Sequence, residues 1–599
     1  MSEFSKPAMM ALATFVLGVC TLYFGFYFAL ILLVATVIGL QTLIWQAQAK
    51  GQKELFGHPL PLYMLFLTEM WERFSYYGMR GIFMLYMTNY LVLASGLKAG
   101  IYGDYTGLVY ITPLLGGFLA DRYIGLQKSI IIGGIMMATG QFCLSNHAWN
   151  DLPARPTWQT VDKSTPKEVA DRIAQEKAQR LKQEQAIGSK VGESLTMLFL
   201  GAGLLILGNG MFKPNISTIV GQLYEPSDPR RDAGFTIFYM GINVGAFFSP
   251  IICGYLAQEV KWQYGFVAAG VGMVLGTISF IFGRRMLNGI GLEPAVQTPP
   301  DSSETSTNGL RPLTPIETTV RTAIWGAMAI LLAVGVYYFA FPGKTKEPLH
   351  ALQRIDPLLW SVAGIVSLWI YTYLQPRCTP TELGRVNALY VLAVFVMLFW
   401  AAFEQAGSSL TLFADKFTNN VAFGEEEFPS SWWQSLNAIY IIALAPLFSA
   451  IWLVLNGVGR EPSTPWKMTI GIGFNALSFA IVIPAAMMAL KDPGSITKVG
   501  PGWLLALYFL QTCGELCLSP VGLTMVTRLA PVRYGAMMMG MWFLVANAFG
   551  NKIAGSAAGF MDEMGPTQLF VTVTLILTGA TVILPFLIPW LRKQMAGVK

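Results

Sequence analysis

Charged residues are scarce in this sequence: Asp, Glu, Lys and Arg make up 12% of its 599 residues, while hydrophobic residues make up 54%. A soluble globular protein carries about twice that charged fraction, so the composition excludes an ordinary soluble domain. The mean hydropathy of +0.51 leads to the same conclusion. We therefore predict an all-α polytopic membrane protein whose helices lie in a lipid bilayer.

Histidine and cysteine are also rare. The three histidines, His58, His147 and His350, lie at or beyond the ends of predicted helices, which excludes a histidine proton switch inside the bilayer. The six cysteines lie mostly in apolar runs without nearby histidine, so we predict no metal site and no cofactor. Without an H-E-x-x-H or Walker motif we predict no enzyme, and a net charge of +6 spread among loops predicts no nucleic-acid partner.

The charge that is present is concentrated in one helical stripe. Within an apolar run at 60–93, the segment Thr68–Gly81 reads T-E-M-W-E-R-F-S-Y-Y-G-M-R-G. At about 100° per residue, its polar side chains fall within an arc of roughly 140°; they are Glu69, Glu72, Arg73, Tyr76, Tyr77 and Arg80. Charges at membrane depth either form a structural ion-pair cluster or line a substrate or proton path. Four ionisable groups on one face favour the path.

Three further ionisable residues stand alone in apolar runs: Lys213, Glu404 and Glu515. A buried lysine requires an anionic partner, which is either a glutamate of the stripe or the carboxylate of a substrate. Isolated carboxylates inside a bilayer are likewise candidates for binding substrate or protons. These three residues therefore join the stripe as candidate functional groups.

The stripe also resembles a known motif. Residues Glu69–Gly78 read E-x-x-E-R-F-x-Y-Y-G, which is similar to the first-helix motif of the proton-coupled oligopeptide transporters, a branch of the major facilitator superfamily. The resemblance covers roughly Pro61 to Arg592, apart from a polar insertion at 150–194. It implies the major facilitator fold with two six-helix halves, and a bacterial-type member because an extra helix pair separates the halves.

Other runs extend the resemblance. Gly116–Gly125 reads G-G-F-L-A-D-R-Y-I-G and resembles the loop between helices two and three of major facilitator proteins. Its Asp121 and Arg122 are expected to form a gate contact, and a simple stop signal is the alternative. The runs around Lys213 and Asn243 resemble the family's fourth- and fifth-helix signatures, which implies that both residues contact substrate. For Asn243 the alternative is a hydrogen bond between helices.

The predicted organisation has five parts. Residues 1–50 form an extra N-terminal hydrophobic segment; we favour a two-helix hairpin with its tip near Gly25 over one long tilted helix, because aromatic residues cluster there and prefer the interface. The other parts are an N-terminal six-helix bundle at 60–285 with the insertion at 150–194, a linker at 286–315, an inserted helix pair at 320–375 and a C-terminal six-helix bundle at 386–592. Basic loops predict cytoplasmic termini in a cell inner membrane.

A peptide is a zwitterion, so its site requires a cation for the carboxylate, an anion for the amine and aromatic walls. From the resemblance together with charge complementarity, we predict that Arg80 and Lys213 bind the carboxylate and that Glu515 binds the amine, across the interface of the halves. The predicted substrate-binding residues are Tyr77, Arg80, Tyr110, Lys213, Asn243, Trp400, Asn437, Glu515 and Trp542.

Proton coupling requires a group that gains and loses a proton near physiological pH, and buried carboxylates serve this role where histidine is absent. Glu69, Glu72 and Glu404 are the candidates, with Arg73 and Lys213 as their counter-charges. We predict that protonation of Glu72 weakens its hold on Lys213 and frees the lysine for the substrate carboxylate.

The predicted function is proton-driven symport of di- and tripeptides into the cell by alternating access. A proton-coupled carrier of another small solute, such as nitrate or a modified amino acid, is the alternative, because an Arg/Lys pair alone can hold an anion. Glu515 opposite that pair favours a zwitterion. A sensor that uses the fold without turnover is disfavoured, because the candidate proton and peptide residues are all present. The sequence assigns no oligomeric state.

Overall fold

The computed structural model describes residues 2–91, 93–147, 196–225, 227–292, 310–340, 350–421, 427–492 and 495–596, together with residues 172 and 175. The rest of the predicted insertion at 150–194 and residues 293–309 of the predicted linker lie outside these described residues. Eleven helices of the described part are long and apolar enough to cross a membrane. The prediction of a polytopic helical membrane protein is therefore confirmed.

In the N-terminal half, the described residues form six long helices. They are α2 (Leu60–Leu85), α3 (Ser95–Leu119), α4 (Leu126–His147), α5 (Thr196–Gln222), α6 (Arg231–Tyr255) and α7 (Trp262–Gly283), which follow an N-terminal helix α1 (Ser2–Ala49). Single π-helical segments extend three of them, at Tyr86–Tyr90, Ala120–Ile124 and Leu256–Val260. Helix α3 begins at Ser95, and its first turns carry Lys98 and Asp104, which form ion pairs with Asp562 and Lys552 of the C-terminal half.

The inserted pair and the C-terminal half follow. The pair consists of α8 (Pro315–Ala340) and α9 (His350–Leu374), and the half consists of α10 (Pro380–Phe403), α11 (Ser409–Phe417), α12 (Ser435–Gly457), α13 (Thr464–Ala489), α14 (Gly502–Leu529), α15 (Gly535–Trp542), α16 (Phe549–Met564) and α17 (Pro566–Gln594). A 3₁₀ turn at Glu404–Gly407 joins α10 to α11, and a π-helical segment at Phe543–Ala548 joins α15 to α16. Each joined pair makes one crossing, so the described residues of this half also make six crossings.

A small β-hairpin departs from the all-α prediction. Strands β1 (Glu54–Leu55) and β2 (His58–Pro59) pair in antiparallel fashion immediately before α2. Phe56 and Gly57 between them have φ values of 48° and 78°, as a two-residue type I′ turn requires. Strands of two residues are too short for an alternating pattern to be visible in the sequence.

Helix α1 is broken in the middle. At Gly25 its backbone has φ 71° and ψ −153°, a conformation that glycine adopts because it has no Cβ. Before the break, Gly18 lies against α12 of the C-terminal half. After it, Phe26 stacks on Tyr255 of α6 with 4.5 Å between ring centroids. The two arms of α1 therefore contact different halves of the core.

Hydropathy alone misses several helices that carry charge, although α5 with Lys213 and the α10–α11 crossing with Glu404 are among the eleven apolar spans. Helices α2, α3, α14 and the α15–α16 unit are not among the eleven apolar spans. Their charged residues include Glu72 of α2, Asp104 of α3, Glu515 of α14 and Lys552 of α16. A charge inside a membrane helix faces the protein interior, so these helices line the interior of the bundle.

The two halves are joined at one end of the bundle, which we call the closed end. It contains the start of α3, the end of α6, the start of α12 and the end of α16. The contacts that join the halves here include Ser435 Oγ donating to the carbonyl of Phe247 at 2.8 Å, Asn89 Nδ2 donating to Asp415 Oδ2 at 3.0 Å, and the ion pair of Lys98 Nζ with Asp562 Oδ2 at 2.6 Å. The opposite end we call the open end.

Helices α3 and α16 approach backbone to backbone at the closed end. A Cβ atom on Gly555 would overlap the Cα atom of Gly103. We expect Gly555→Val to force the two helices apart and to lower the free energy of unfolding by about 1–3 kcal/mol, which is usual for overpacking. Thermal unfolding of the purified protein measures this. The control is Gly579→Val, because nothing lies within 4 Å of a Cβ at that position; equal effects of both variants would contradict the expectation.

Candidate functional site

Glu69, Glu72 and Arg73 form a buried ion cluster on α2, which we call the α2 cluster. Arg73 Nε lies 3.0 Å from Glu69 Oε1 and 2.5 Å from Glu72 Oε2. Asn209 Nδ2 of α5 donates a hydrogen bond to Glu72 Oε1 at 2.9 Å. The three charged residues are at most 3% exposed. One guanidinium thus faces two carboxylates, which leaves a negative charge that a bound proton can neutralise.

Lys213 lies near the α2 cluster but makes no ion pair. In the described residues no carboxylate oxygen lies within 4 Å of its Nζ, which instead lies 4.9 Å from the ring centre of Tyr110. The predicted direct hold of Glu72 on Lys213 is therefore absent from this structure. The reason is that Asn209, one helical turn before Lys213 on α5, reaches Glu72 instead. The lysine charge is left for another anion.

Arg80 and Glu404 form an ion pair between the two halves. Arg80 Nη2 contacts Glu404 Oε2, and Arg80 Nε donates to the Tyr102 hydroxyl at 3.3 Å. The guanidinium also lies over the ring of Tyr77, at 5.7 Å from its centre. We expected Arg73 and Lys213 to serve as counter-charges for the glutamates, but the counter-charge of Glu404 is Arg80. Both members of the pair are less than 10% exposed.

A break in the seventh core crossing places the Glu404 carboxylate. Glu404 lies in a long apolar run that the sequence alone does not show to be interrupted. In the structure, α10 gives way to the 3₁₀ turn Glu404–Gly407, and Ser408 has φ −126° and ψ −99°. Gly407 lies directly against the Tyr102 hydroxyl, so the phenol occupies the space that a Cβ would need. This close approach brings Glu404 within reach of Arg80.

A cavity of about 70 Å³ lies between the halves beside this ion pair. Asn437 Nδ2 of α12 donates to Glu515 Oε2 of α14 at 2.9 Å and lies 3.1 Å from Thr512 Oγ1. Glu515 is 7% exposed, and among the described residues no cationic nitrogen lies within 4 Å of its carboxylate. The C-terminal half thus presents an unpaired carboxylate to the cavity, while the N-terminal half presents Arg80.

Five predicted substrate-binding residues line this cavity: Tyr77, Arg80, Asn243, Asn437 and Glu515. Asn243 Nδ2 also donates to the Tyr239 carbonyl within its own helix, at 3.1 Å. The other four, Tyr110, Lys213, Trp400 and Trp542, are outside the lining. Trp542 is only 3% exposed and packs against Gly522 of α14. The contacts of these four residues with substrate stay a prediction.

The predicted gate residues Asp121 and Arg122 lie in the π-helical segment that extends α3 at the open end, and both are exposed. Neither makes an ion pair in the part of the chain that the structure describes. The Arg122 guanidinium lies over the rings of two neighbours in sequence, 6.0 Å from the ring centre of Phe118 and 5.9 Å from that of Tyr123. The gate contact stays a prediction for a state in which this end is closed.

One charged cluster was not identified from the sequence. Lys552 Nζ of α16 lies 2.7 Å from Asp104 Oδ1 of α3 and 2.6 Å from Asp356 Oδ1 of α9. Trp360 Nε1 of α9 also donates to Asp104 Oδ1 at 2.8 Å. This cluster joins both halves and the inserted pair near the closed end. The criterion that identified Lys213, a lone charge in an apolar run, would have found Lys552 as well.

Known proteins resemble the whole chain. Residues 127–571 match the model of the POT family. The peptide transporter YePEPT of Yersinia enterocolitica is 33% identical over 558 residues, which are 91% of this chain and 97% of that protein. A di-/tripeptide transporter of Lactococcus lactis is 31% identical over 83% of this chain and 88% of its own length. Among solved structures, a mutant of a peptide transporter POT in complex with alafosfalin is 33% identical to this chain. The two structures superimpose with a TM-score of 0.69 over 91% of this chain and 98% of the transporter.

Proposed function

The chain belongs to the POT family, a family of multi-pass membrane transporters, and from that premise we propose that it carries di- and tripeptides into the cell in symport with protons. The family membership confirms the resemblance seen in the sequence. Two relatives that are 33% and 31% identical to this chain are named as peptide transporters, which supports a peptide substrate.

The observation that carries the proposal is a pair of uncompensated charges on opposite halves. Glu515 of the C-terminal half has no cation, and Lys213 of the N-terminal half has no carboxylate, among the residues described. An unpaired charge at membrane depth is costly, and a ligand of opposite charge removes that cost. A zwitterionic peptide supplies both partners at once, its amine to Glu515 and its carboxylate to Lys213 and Arg80. An anion such as nitrate would leave Glu515 unpaired.

The Arg80–Glu404 pair provides the link between proton and peptide. When Glu404 takes up a proton it loses its charge, and Arg80 is released to bind the peptide carboxylate. When Glu404 loses the proton, it competes for Arg80 and weakens the hold on the peptide. The proton and the peptide therefore favour each other's binding, which is the reciprocal coupling that symport requires. The α2 cluster, with two carboxylates around Arg73, is the second proton-binding candidate.

The ends of the bundle give the direction of access. Hydrogen bonds and an ion pair join the halves at the closed end, whereas the predicted gate residues at the open end are exposed and make no ion pair within the described residues. Arginines are frequent at the open end, at positions that include 122, 230, 231, 284, 285, 528 and 592. We infer from this positive-inside bias that the open end and both termini face the cytoplasm of a cell inner membrane. The structure then corresponds to a state open to the inside.

Uptake of a labelled dipeptide into proteoliposomes tests this proposal. With an inward proton gradient we expect accumulation; without it, we expect only equilibration. Free dipeptide should compete, whereas an N-acetylated, C-amidated analogue should not, because it lacks both charges that the site binds. Accumulation of nitrate or another anion under the gradient, with none of dipeptide, would contradict the peptide assignment and favour the carrier of another small solute.

A further inference from the structure

A second, larger cavity lies in the C-terminal half at the open end. Its volume is about 1010 Å³, and it opens between α12 and α14. The start of α13 and the end of α17 complete its wall. Helix α12 is buried only over its first two turns, at Ser435–Ile441, and beyond them it stands away from α14. Apolar side chains cover the inner wall, among them Phe448, Leu516 and Met525.

Positive charge is concentrated at the mouth of this cavity. Lys467, Arg528 and Arg592 line it, against one acidic residue, Glu461. Lys467 Nζ is held by Glu461 Oε1 at 2.5 Å and lies 4.6 Å from the ring centre of Trp452. Arg528 and Arg592 are exposed and, within the described residues, make no ion pair or side-chain hydrogen bond. We call this site the basic cleft; two of its three cations have no counter-charge among the residues that the structure describes.

The first turn of α13 adds further donors to the basic cleft. Its N-cap residue Ser463 lines the cavity and makes no capping hydrogen bond, and its buried Oγ has no partner within the described part of the chain. The backbone N–H groups at a helix start carry a partial positive charge and bind anions. Side-chain cations, a free hydroxyl and a helix N-terminus therefore converge on one space.

We propose that the basic cleft binds a phosphate-bearing anion, and that its source is the headgroup of an anionic membrane lipid. The cleft lies at the ends of four membrane helices, on the side that we propose to be cytoplasmic, and basic pockets between helices on that side bind anionic headgroups. The apolar wall formed by Phe448, Leu516 and Met525 gives an acyl chain a path between α12 and α14. Free phosphate has the same chemistry as the headgroup, but it has no acyl chain that would contact the apolar wall.

Lipid titration of the purified full-length chain in detergent tests the inference. Thermal unfolding is followed with added phosphatidylglycerol, phosphatidylcholine or inorganic phosphate. We expect phosphatidylglycerol to raise the unfolding temperature and phosphatidylcholine to leave it unchanged. The double variant R528Q/R592Q should bind phosphatidylglycerol about 30-fold more weakly, from a loss of about 1 kcal/mol for each arginine.

The matched control is R284Q/R285Q, which removes two exposed arginines at the same end of the bundle but in the N-terminal half. It should keep the affinity of the unchanged protein. Equal protection by inorganic phosphate, lost in R528Q/R592Q, would support the basic cleft and assign free phosphate as the source. Unchanged affinity in R528Q/R592Q, or an equal loss in the control, would overturn the proposal. Neither result depends on the transported substrate, because the readout is unfolding rather than uptake.

Discussion

Glu404→Gln is expected to abolish proton-driven accumulation of dipeptide while leaving peptide exchange in place. Glutamine cannot gain or lose a proton, so Arg80 is no longer bound and released as the proton arrives and leaves. The neutral amide imitates the protonated carboxyl group, so Arg80 stays free for the peptide carboxylate. The variant loses the coupling between proton and peptide rather than the binding of peptide. Coupling between two ligands is typically worth about 1–3 kcal/mol, so we expect gradient-driven uptake to fall by up to about 100-fold.

Two assays separate coupling from binding in this variant. Accumulation is measured with an inward proton gradient, and counterflow is measured with unlabelled dipeptide inside and labelled dipeptide outside, without a gradient. The control is Glu427→Gln, because Glu427 is an exposed carboxylate that pairs with Lys498 at 2.8 Å, away from the cavity. If Glu404→Gln kept full gradient-driven accumulation, the assignment of Glu404 to coupling would be wrong. Loss of counterflow as well would indicate a structural role.

Lys213→Gln is expected to remove recognition of the peptide carboxylate. The lysine has no carboxylate partner in the described part of the protein, so its charge is available to the substrate. Loss of one member of a buried charge pair costs about 3 kcal/mol, which predicts about 100-fold weaker uptake of free dipeptide. Uptake of a C-amidated dipeptide should change little, because that ligand has no carboxylate to bind.

Glu515→Gln is expected to remove recognition of the peptide amine, as Lys213→Gln removes recognition of the carboxylate. Together the two variants test which residue binds which end of the peptide. Glu515→Gln should erase the preference for a free amine over an N-acetylated peptide and retain the preference for a free carboxylate. Competition by the two singly capped peptides measures both preferences in each variant, and Lys491→Gln, an exposed lysine outside the cavity, is the control. Equal loss of both preferences in both variants would contradict the two-ended model.

Several features of the site were predictable because they are local. Glu69, Glu72 and Arg73 lie within about one turn of a helix, so helical periodicity alone places them together, as the structure has them. The spacing of Asn209 and Lys213 likewise puts both side chains on one face of α5. Which of the two reaches Glu72 could not be read from that spacing, because it depends on the distance between α2 and α5.

Contacts between distant segments were the ones that the sequence misassigned or missed. Arg80 and Glu404 are 324 residues apart, and their contact depends on the break after α10 and on Tyr102 filling the space beside Gly407. The cluster around Lys552 requires three helices to meet at one level. Glu404 and Lys552 are visible in the sequence as lone charges in apolar runs, but their partners are not.

The sequence by itself determined the membrane helices, the family and the charged residues that make up the site. These follow from local physics, because a helix in lipid satisfies its own backbone hydrogen bonds and its span depends on the hydropathy of consecutive residues. Only the tertiary structure decided which charges are paired, which are left for a ligand, and which end of the bundle is closed. Those outcomes depend on where helices cross, and helix crossings are determined by side-chain packing over the whole bundle rather than by any one segment.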